Sequence, residues 1–269
     1  MPGLPALFDL SGRVAVVTGG GGALGRVVAG ALAQAGASVA VLDLSADTAA
    51  AVAAGLGESS RAIAVGADLS SEAEVDRAFE EIDQAFGRVD ILVNAISAPV
   101  DRYEPQDFPL GAWDTMLAAN LTSYFLCSRA AAQRMIPAGR GGSIVNFGSI
   151  SGENALGRGS LAYSVAKGGV AQLTRETAYA WATHGIRVNA VLPCQFFNDW
   201  WRGNLTDPDR LMLVDRVVSG IPLGRMGEPE EIAGPVLFLA SQAASMVTGV
   251  LLPVDGGNLA MNAGASLDW

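Results

Sequence analysis

The sequence predicts a single doubly wound α/β domain, in which a seven-stranded parallel sheet carries helices on both faces. Short runs rich in β-branched residues alternate with longer alanine-rich stretches at helical spacing throughout the 269 residues. The short runs are continuously apolar, which is typical of strands buried on both faces of a parallel sheet. No linker or change in composition interrupts the alternation, so we expect residues 1–269 to form one domain.

The seven strands are predicted, in chain order, at 13–18, 38–43, 61–66, 90–94, 143–147, 186–191 and 250–254. Helical patterns lie between them at 23–35, 46–55, 71–86, 112–135, 161–183 and 229–241. The segment 194–228 is different, because it is long and aromatic and follows the sixth strand. A segment at this place in a doubly wound fold can cover a ligand, so we interpret it as a substrate-binding loop or lid.

The composition excludes several classes of protein. Half of the residues are hydrophobic, which excludes a mainly disordered chain, and no apolar run reaches the length of a membrane span. A net charge of −10 argues against binding to nucleic acid or to anionic membranes. One histidine and two cysteines, Cys127 and Cys194, predict no metal site and two reduced, buried thiols. The N-terminal residues show no secretory signal, so a cytoplasmic location is the default expectation.

The first predicted strand runs into "TGGGGALG", residues 18–25. Glycines at 19–22 allow a tight turn and a close approach of the backbone to a phosphate, and a helix that starts at Ala23 directs free N–H groups at it. A strand–helix turn without a ligand is the alternative. Asp43 favours a dinucleotide site, because it ends the second strand at the spacing where a carboxylate receives the ribose hydroxyls of NAD.

The charges around this turn favour NAD over NADP. No arginine or lysine occurs at 19–22 or at 43–48, so a 2′-phosphate would meet the Asp43 carboxylate unopposed. Asp68, after the third strand, is placed either to meet the adenine edge of the cofactor or to cap the helix that follows.

Lys167 is the only lysine of the chain, and it follows Tyr163 by four residues. On a helix these two side chains share a face. An ammonium close to a phenol favours the phenolate and lowers its pKa, which would make Tyr163 a general acid or base for an alcohol or carbonyl oxygen. Lysine suits this role better than arginine, because its compact charge can also donate to ribose hydroxyls. A chance pair on a solvated helix is the alternative.

The glycine turn, "NAIS" at 94–97, "SIVNFGSISG" at 143–152 and "AYSVAKGG" at 162–169 resemble the short-chain dehydrogenase/reductase family, and the resemblance covers nearly the whole chain. It implies a Rossmann-type fold and NAD-dependent oxidoreductase activity. The chain departs from the family pattern at Ala23, which stands for the middle glycine of the turn, and in "NAIS", where relatives read "NNAG". The pair 193–194, Pro–Cys, stands for a proline–glycine pair.

The resemblance implies a catalytic tetrad of Asn120, Ser149, Tyr163 and Lys167. Ser149 follows the fifth strand and would hydrogen-bond the substrate oxygen beside the Tyr163 hydroxyl. A loop hydroxyl without this role is the alternative, and Ser151 is the second choice for it. Asn120 would organise a water-linked proton relay to Lys167, or would only kink its helix, because asparagine is unfavourable inside helices.

The remaining site residues follow from the same resemblance and from their places in the chain. The predicted cofactor contacts, in addition to Tyr163 and Lys167, are Gly19, Gly21, Gly22, Ala23, Leu24, Asp43, Leu44, Asp68, Leu69, Asn94, Ala95, Pro193, Phe196 and Asn198. The predicted substrate contacts are Ser151, Asn154, Trp200, Trp201 and Arg202. Aromatic side chains with an arginine suit a polyol, sugar or sugar acid; alternatively they only pack the lid or a subunit contact.

The favoured function is an NAD-dependent oxidoreductase that acts on a secondary alcohol or ketone. A hydrophobic carbonyl or 3-oxoacyl compound is the alternative substrate, although an acyl carrier protein, being acidic, would need a basic surface. A catalytically silent NAD sensor, and an isomerase or dehydratase that retains NAD, are the alternative functions. The resemblance also implies a homotetramer, or a homodimer, built through 112–135 and 161–183. His184, the only histidine, is expected to interact with helix-terminal carbonyls rather than to act in catalysis.

Overall fold

A computed structural model describes residues 3–57, 60–156, 159–203 and 208–261, with side chains at all of these positions except 199–200 and 208–211. In this part of the chain seven strands form one sheet: β1 Val14–Thr18, β2 Ser38–Asp43, β3 Ala62–Gly66, β4 Ile91–Asn94, β5 Gly142–Phe147, β6 Ile186–Pro193 and β7 Leu251–Val254. Their order is β3-β2-β1-β4-β5-β6-β7, and every neighbouring pair is parallel. The predicted seven-stranded parallel sheet is confirmed.

The strand order places a crevice at the carboxyl ends of β1 and β4. The chain proceeds from β1 outward to β3 on one side, and from β4 outward to β7 on the other, so the connections diverge at this point. The register brings Thr18 level with Asn94, and Asn94 level with Asn146. The strand ends that carry the predicted site residues therefore meet at one edge of the sheet.

The described residues form ten α-helices: α1 Leu4–Leu7, α2 Ala23–Gln34, α3 Ala46–Gly55, α4 Glu72–Phe86, α5 Leu110–Leu117, α6 Ser123–Ala138, α7 Leu161–Trp181, α8 Asp199–Gly203, α9 Pro208–Val218 and α10 Ala233–Ala240. Helices α2 and α10 contribute to the hydrophobic core on one face of the sheet, and α4 and α6 to the core on the other. Within β1, Ala15 and Val17 enter the first core and Val16 enters the second. Burial on both faces explains why these strands are continuously apolar in sequence.

The structure corrects the predicted helix 112–135. The helical segment extends from Leu110 to Ala138, but a π-helical turn at Ala118–Thr122 separates α5 from α6. Asn120 lies in this turn, and its side chain can compete for backbone hydrogen bonds. Single π turns are often found at functional sites. The apolar pattern therefore predicts the helix but not the break in it.

The predicted lid 194–228 contains more regular structure than its sequence pattern indicates. Both α8 and α9 lie within it, and neither was predicted: α8 has only five residues, and α9 lies in a segment that we interpret from the sequence as a loop. Phe196 pairs with Gly227 in a parallel bridge, which holds the two ends of the segment together. The segment also has a small core of its own, made of Val217, Ile221 and Met226.

Candidate active site

A cleft of about 1390 Å³ opens at the carboxyl edge of the sheet. Its walls are the glycine turn before α2, the segments that follow β2 to β6, the start of α7 and the lid. Ser149, Tyr163 and Lys167 line it, as do the predicted cofactor contacts Gly19, Gly21, Gly22, Ala23, Leu24, Asp43, Leu44, Asp68, Leu69, Ala95, Pro193, Phe196 and Asn198. The structure thus brings Tyr163, Lys167 and the glycine turn to one cleft, as the sequence predicts.

The glycine turn is shaped to admit a phosphate-bearing ligand. Gly19 has a φ of +61°, and a Cβ atom there would lie 2.8 Å from the carbonyl oxygen of Ala95. A Cβ atom on Gly25 would clash with the carbonyl oxygen of Gly19, so α2 begins pressed against the end of β1. No side chain caps α2, and its first turn, which starts at Ala23, therefore offers free N–H groups at the cleft. This arrangement fits a dinucleotide pyrophosphate.

Asp43 is fixed beside this turn by the backbone. Its carboxylate accepts hydrogen bonds from the N–H of Gly21 at 3.0 Å and from the N–H of Ser45 at 3.1 Å. A Cβ atom on Gly21 would lie 2.9 Å from the nearer carboxylate oxygen, so a glycine is needed for this approach. The carboxylate is oriented in the cleft wall, where it fits the role of an acceptor for ribose hydroxyls.

Asp68 caps the turn after β3 and also lines the cleft. Its carboxylate accepts from the N–H of Ser70 at 3.0 Å and from the Ser70 hydroxyl at 2.6 Å. The Asp68 carboxylate does not cap the following helix, because α4 has Ser71 at its N-cap and no side-chain cap. Contact with an adenine stays a prediction.

Asn94, a predicted cofactor contact, is buried and lies outside the cleft lining. Its amide donates to Ser128 at 3.0 Å and to the side-chain oxygen of Asn146 at 2.9 Å, and the amide of Asn146 donates to Thr174 at 3.0 Å. These groups are buried and join β4, β5, α6 and α7 below the site. Asn94 is therefore placed as a support for the strand ends.

The hydroxyl of Tyr163, on the first turn of α7, forms hydrogen bonds with the hydroxyls of Ser149 and Ser97. Burial raises the pKa of Tyr163, and the hydrogen bonds from the two serines lower it in part. The net upward direction corrects the expectation of a lowered pKa. Ser97 lines the cleft but was not predicted as a site residue. It could have been found from its position in "NAIS", where it replaces the glycine of the family pattern and adds a hydroxyl.

Ser149 is oriented by Ser151. The hydroxyl of Ser151 donates to that of Ser149 at 3.0 Å, and the N–H of Ser151 donates to the same oxygen at 3.2 Å. Ser149 lines the cleft and Ser151 does not. Of the two serines, Ser149 is therefore the one that faces a ligand, in agreement with the preference from the sequence. Asn154 is exposed and lies outside the cleft lining, so its predicted substrate contact has no support from the shape of the cleft.

Lys167 is buried at the base of the cleft. Its Nζ donates to the Phe147 carbonyl oxygen at 2.9 Å, to the Tyr124 hydroxyl at 2.9 Å and, more weakly, to the Ile96 carbonyl oxygen at 3.4 Å. The same nitrogen lies 4.5 Å from the ring centroid of Tyr124 and 5.7 Å from that of Tyr163. Burial lowers the pKa of Lys167 to about 7. The predicted lysine–tyrosine pair is therefore formed, with the ammonium held mainly by groups other than Tyr163.

Tyr124, which sequence reasoning missed, is the nearest side chain to this ammonium. It is fully buried, and its hydroxyl lies 2.8 Å from the Ile96 carbonyl oxygen and 3.1 Å from that of Phe147. Burial raises the pKa of Tyr124 well above the usual range, so the phenol stays neutral. In "NLTSYFLC" an aromatic residue on a helix resembles ordinary core packing, which is why its sequence context shows no signal.

Asn120 does not reach Lys167 in this structure. Its amide donates to the Met116 carbonyl oxygen at 3.2 Å, one helical turn earlier. Its side-chain oxygen is buried and has no hydrogen-bond partner among the described residues. Such an acceptor is a binding place for an ordered water, so the relay through Asn120 stays a prediction.

The comparisons with known proteins agree with this geometry. The family model described as enoyl-(acyl carrier protein) reductase matches residues 21–258. D-threitol dehydrogenase of Mycolicibacterium smegmatis is 39% identical over 252 residues, which are 93% of this chain and 94% of the relative. Galactitol 2-dehydrogenase of Rhizobium johnstonii is 40% identical over 252 residues, covering 93% of this chain and 96% of the relative.

A solved structure shows the same fold. The gluconate 5-dehydrogenase of Burkholderia cenocepacia, in complex with NADP and tartrate, superposes with a TM-score of 0.89 at 32% identity, over 97% of this chain and 100% of that one. The chain belongs to the short-chain dehydrogenase/reductase family. It is accordingly an oxidoreductase that acts on alcohol groups with a nicotinamide cofactor, and the cleft combines the groups that this chemistry needs.

The lid of this short-chain dehydrogenase/reductase divides its residues between the cleft and its own packing. Phe196 and Trp201 line the cleft, and Trp201 also packs in the small core of the lid. The side-chain oxygen of Asn198 accepts from the N–H of Trp201 at 3.0 Å and so caps α8. Arg202 forms an ion pair with Glu228 and lies outside the cleft lining, so its predicted substrate contact has no support from the shape of the cleft. The Trp200 side chain lies outside the described residues.

The cysteines and the histidine of this short-chain dehydrogenase/reductase have different surroundings. Cys127 is buried, and burial raises its pKa to about 12. Cys194 is only partly buried and lines the cleft, which corrects the expectation that both thiols are buried. His184 is exposed in the turn Ala182–His184 after α7, outside the cleft lining. The described residues include no cluster of metal-ligating side chains and no helix of sufficient length and hydropathy to span a membrane.

Proposed function

We propose that this short-chain dehydrogenase/reductase is an NAD-dependent dehydrogenase of a polyol, sugar or sugar acid. The observation that carries this proposal is the hydroxyl of Tyr163, held by Ser149 and Ser97 in a cleft that also contains the uncapped first turn of α2. A proton donor and a dinucleotide-shaped turn in one cleft are what alcohol oxidation and carbonyl reduction require. When bound, the nicotinamide supplies or accepts the hydride.

Asp43 supports NAD as the cofactor. Its carboxylate is fixed beside Gly21 by two backbone hydrogen bonds, so it cannot turn away from a ligand without losing both. A 2′-phosphate at this position would face a like charge, whereas ribose hydroxyls would donate to it. The related gluconate 5-dehydrogenase holds NADP, so the preference for NAD rests on Asp43 and not on the family.

We assign the proton transfer to Tyr163. In reduction its hydroxyl gives a proton to the substrate oxygen, which the Ser149 hydroxyl holds by a hydrogen bond, and in oxidation the phenolate takes that proton back. The ammonium of Lys167 favours the phenolate. Because burial raises the pKa of Tyr163, we expect reduction to prevail at neutral pH and oxidation to increase as the pH rises.

The polyhydroxy substrate class has two supports. The related proteins act, by their names, on threitol and galactitol. Within the cleft, Ser97 places a second hydroxyl beside that of Tyr163, where it suits a substrate with a neighbouring hydroxyl. Trp201 and Phe196 of the lid provide apolar surface for the carbon face of such a substrate.

The test is a substrate screen in which NADH absorbance is followed with threitol, galactitol and gluconate, and with NAD or NADP. We expect turnover of at least one of them with NAD, a loss of at least a thousandfold for Tyr163→Phe, and a clear loss for Lys167→Arg. Tyr179→Phe is the matched control, because this tyrosine is 87% exposed, and it should leave turnover unchanged. Undiminished turnover by Lys167→Arg would refute the role given to the lysine.

The alternative functions give other results in the same screen. Turnover of hydrophobic ketones or 3-oxoacyl thioesters with NADH, and of no polyhydroxy compound, would overturn the substrate class. Binding of NAD with no turnover on the whole panel would indicate a sensor. NAD that co-purifies, with no net NADH release, would indicate an isomerase or dehydratase.

We further propose that the chain is a cytoplasmic homotetramer assembled through α5, α6 and α7. Apolar side chains are exposed on these helices, among them Leu110, Phe125, Leu161 and Val165. Light scattering after gel filtration should give four times the chain mass, and Phe125→Glu with Val165→Glu should reduce it. Leu4→Glu, at another exposed leucine, is the control. A wild-type protein with the mass of one chain would contradict the proposal.

A further inference from the structure

Four polar groups meet in the buried space between α6, α7 and the ends of β4 and β5. They are the Lys167 ammonium, the Tyr124 hydroxyl and the carbonyl oxygens of Ile96 and Phe147. Both side chains are buried, so neither can replace a lost partner by turning into bulk water. The cluster is therefore a fixed unit beneath the catalytic cleft.

The hydrogens of this cluster can be counted. A neutral phenol has one proton, and the shorter distance, 2.8 Å, directs it to the Ile96 carbonyl oxygen. Its oxygen is then free to accept from Lys167 at 2.9 Å. The ammonium uses its second proton on Phe147 at 2.9 Å, and its third makes only the long contact of 3.4 Å with Ile96. That third proton is the one available to a ligand in the cleft.

The two carbonyls belong to the segments that carry the serines. Ile96 immediately precedes Ser97, and Phe147 is two residues before Ser149. Both serines hydrogen-bond the Tyr163 hydroxyl. The Tyr124 hydroxyl thus connects the lysine to both neighbours of the catalytic phenol.

We propose that Tyr124 is a positioning residue of the proton-transfer site: its buried hydroxyl holds the Lys167 ammonium and fixes it to the segments that carry Ser97 and Ser149. The proposal rests on the function proposed above, in which Tyr163 exchanges the proton. Tyr124 acts through Lys167, because its own hydroxyl lies outside the cleft lining.

The Tyr124 hydroxyl affects whether Lys167 is charged, because few other groups around Lys167 stabilise the ammonium. The titratable groups that face it are Tyr163 on its own helix and Tyr124 on α6, with Cys127 beyond Tyr124. From β4 and β5 only carbonyl oxygens face it, and no carboxylate of the described residues pairs with it. An accepting hydroxyl favours the ammonium over the neutral amine. Without it, the pKa of Lys167 should fall below its present value of about 7.

The direct test is a titration of Lys167 by NMR. Because this is the only lysine, protein grown on ¹³C-labelled lysine and made without a lysine-containing tag gives one side-chain signal. We expect the midpoint of the wild-type signal near pH 7, and a fall of one to two pH units in Tyr124→Phe, from the typical strength of a hydrogen bond to a charged group. Tyr179→Phe makes the same chemical change at an exposed site and should not move the midpoint. An unmoved midpoint in Tyr124→Phe overturns the proposal.

Activity gives the second readout. A lower pKa leaves a smaller fraction of Lys167 protonated at neutral pH, so less positive charge favours the phenolate of Tyr163. The kcat of alcohol oxidation at pH 7 should therefore fall about tenfold in Tyr124→Phe, and the loss should become smaller at a pH low enough to protonate Lys167 in both proteins. A purely structural role would lower the melting temperature and give a loss of kcat that does not depend on pH. If wild type oxidises no alcohol but the NMR midpoint still moves, the proposed function fails and the positioning of Lys167 stands. If wild type is active and neither readout moves, only the positioning role fails.

A second variant covers a failure of Tyr124→Phe to fold. Incorporation of 4-aminophenylalanine at position 124 retains the ring and an N–H donor, but the aromatic amine is a weaker acceptor than a hydroxyl and forms no anion. The midpoint of Lys167 should then shift in the same direction as in Tyr124→Phe. A protein with this residue and the wild-type midpoint would also overturn the proposal.

Discussion

At the scale of single residues, the site depends on hydroxyl groups that come from different strands. Ser97 follows β4 and Ser149 follows β5, yet both reach the hydroxyl of Tyr163 on α7. Burial of this phenol opposes its ionisation, and the two serines reduce that effect. The working pH of the enzyme should therefore depend on each serine separately.

Replacing Ser97 by alanine should raise the pKa of Tyr163. The hydrogen bond that favours the phenolate is lost, so a higher pH is needed to form it, and the pH of half-maximal alcohol oxidation should rise by about half to one unit. A pH profile of kcat/KM measures this. Ser245→Ala, a change at an exposed serine, is the control. An unchanged profile in Ser97→Ala would show that its hydroxyl has no effect on Tyr163.

Replacing Asp43 by asparagine should change the choice of cofactor. The side chain keeps its size but loses the charge that would repel a 2′-phosphate, so kcat/KM for NADP relative to NAD should rise at least tenfold. Steady-state kinetics with both cofactors measure the ratio. Asp76→Asn makes the same charge change at an exposed position of α4 and should leave the ratio unaltered. If the wild type already prefers NADP, the argument from Asp43 is wrong.

At the scale of the elements, the start of α2 is the most constrained junction of the described chain. The helix can begin against β1 only because residue 25 has no Cβ, and the same closeness brings its free N–H groups to the cleft. The lid has a core of its own, in which Trp201 of α8 and Val217 of α9 pack with Ile221 and Met226. The predicted cofactor turn therefore lies at a close-packed junction, and the predicted substrate contacts of the lid lie on a separately packed segment.

Two glycines of α2 make a matched pair of variants. Gly25→Ala should destabilise the fold by about 1–3 kcal/mol and weaken NAD binding, because the methyl group clashes with the Gly19 carbonyl oxygen and displaces the helix start. Gly30→Ala meets no atom within 4 Å and should stabilise the fold by about 0.5–1 kcal/mol. Denaturant unfolding and titration with NADH test both. Equal effects of the two substitutions would contradict the packing argument.

At the scale of the whole molecule, burying one ammonium affects the dependence of stability on pH. The pKa of Lys167 is lowered from its ordinary 10.5 to about 7 in the folded chain, so between these values the unfolded chain binds more protons than the folded one. Stability contributed through this group therefore increases as the pH rises through that interval. Below pH 7 the folded chain bears the full cost of the buried charge.

The variant Lys167→Met isolates this effect. Between pH 7 and pH 9, the free energy of unfolding of wild type should increase relative to that of the variant by up to about 1.4 kcal/mol per pH unit. Other titrating groups cancel because both proteins contain them. Parallel curves of stability against pH would show that the lysine is not perturbed, and the variant should in addition be inactive.

The sequence predicts the strands and the motif residues of this molecule better than it predicts the buried contacts behind the cleft. Strands such as β1 and β6 are correctly predicted because burial on both faces leaves continuous apolar runs. Tyr163, Lys167 and the glycine turn are predicted because their chemistry depends on local spacing. Tyr124 and the support role of Asn94 are missed, since both depend on partners about 20 to 70 residues away in the chain. The direction of the Tyr163 pKa is wrong for the same reason, because burial is a property of the assembled fold.

The single lysine has one more consequence, for the chemistry of the protein's exterior. With Lys167 enclosed at 2% exposure, the folded molecule presents no lysine amine to its surroundings. Acylating reagents, amine cross-linkers and enzymes that attach acetyl groups or ubiquitin to lysine would find no target side chain on it. The other basic side chains of the sequence are arginines and one histidine, which do not react as amines with such reagents.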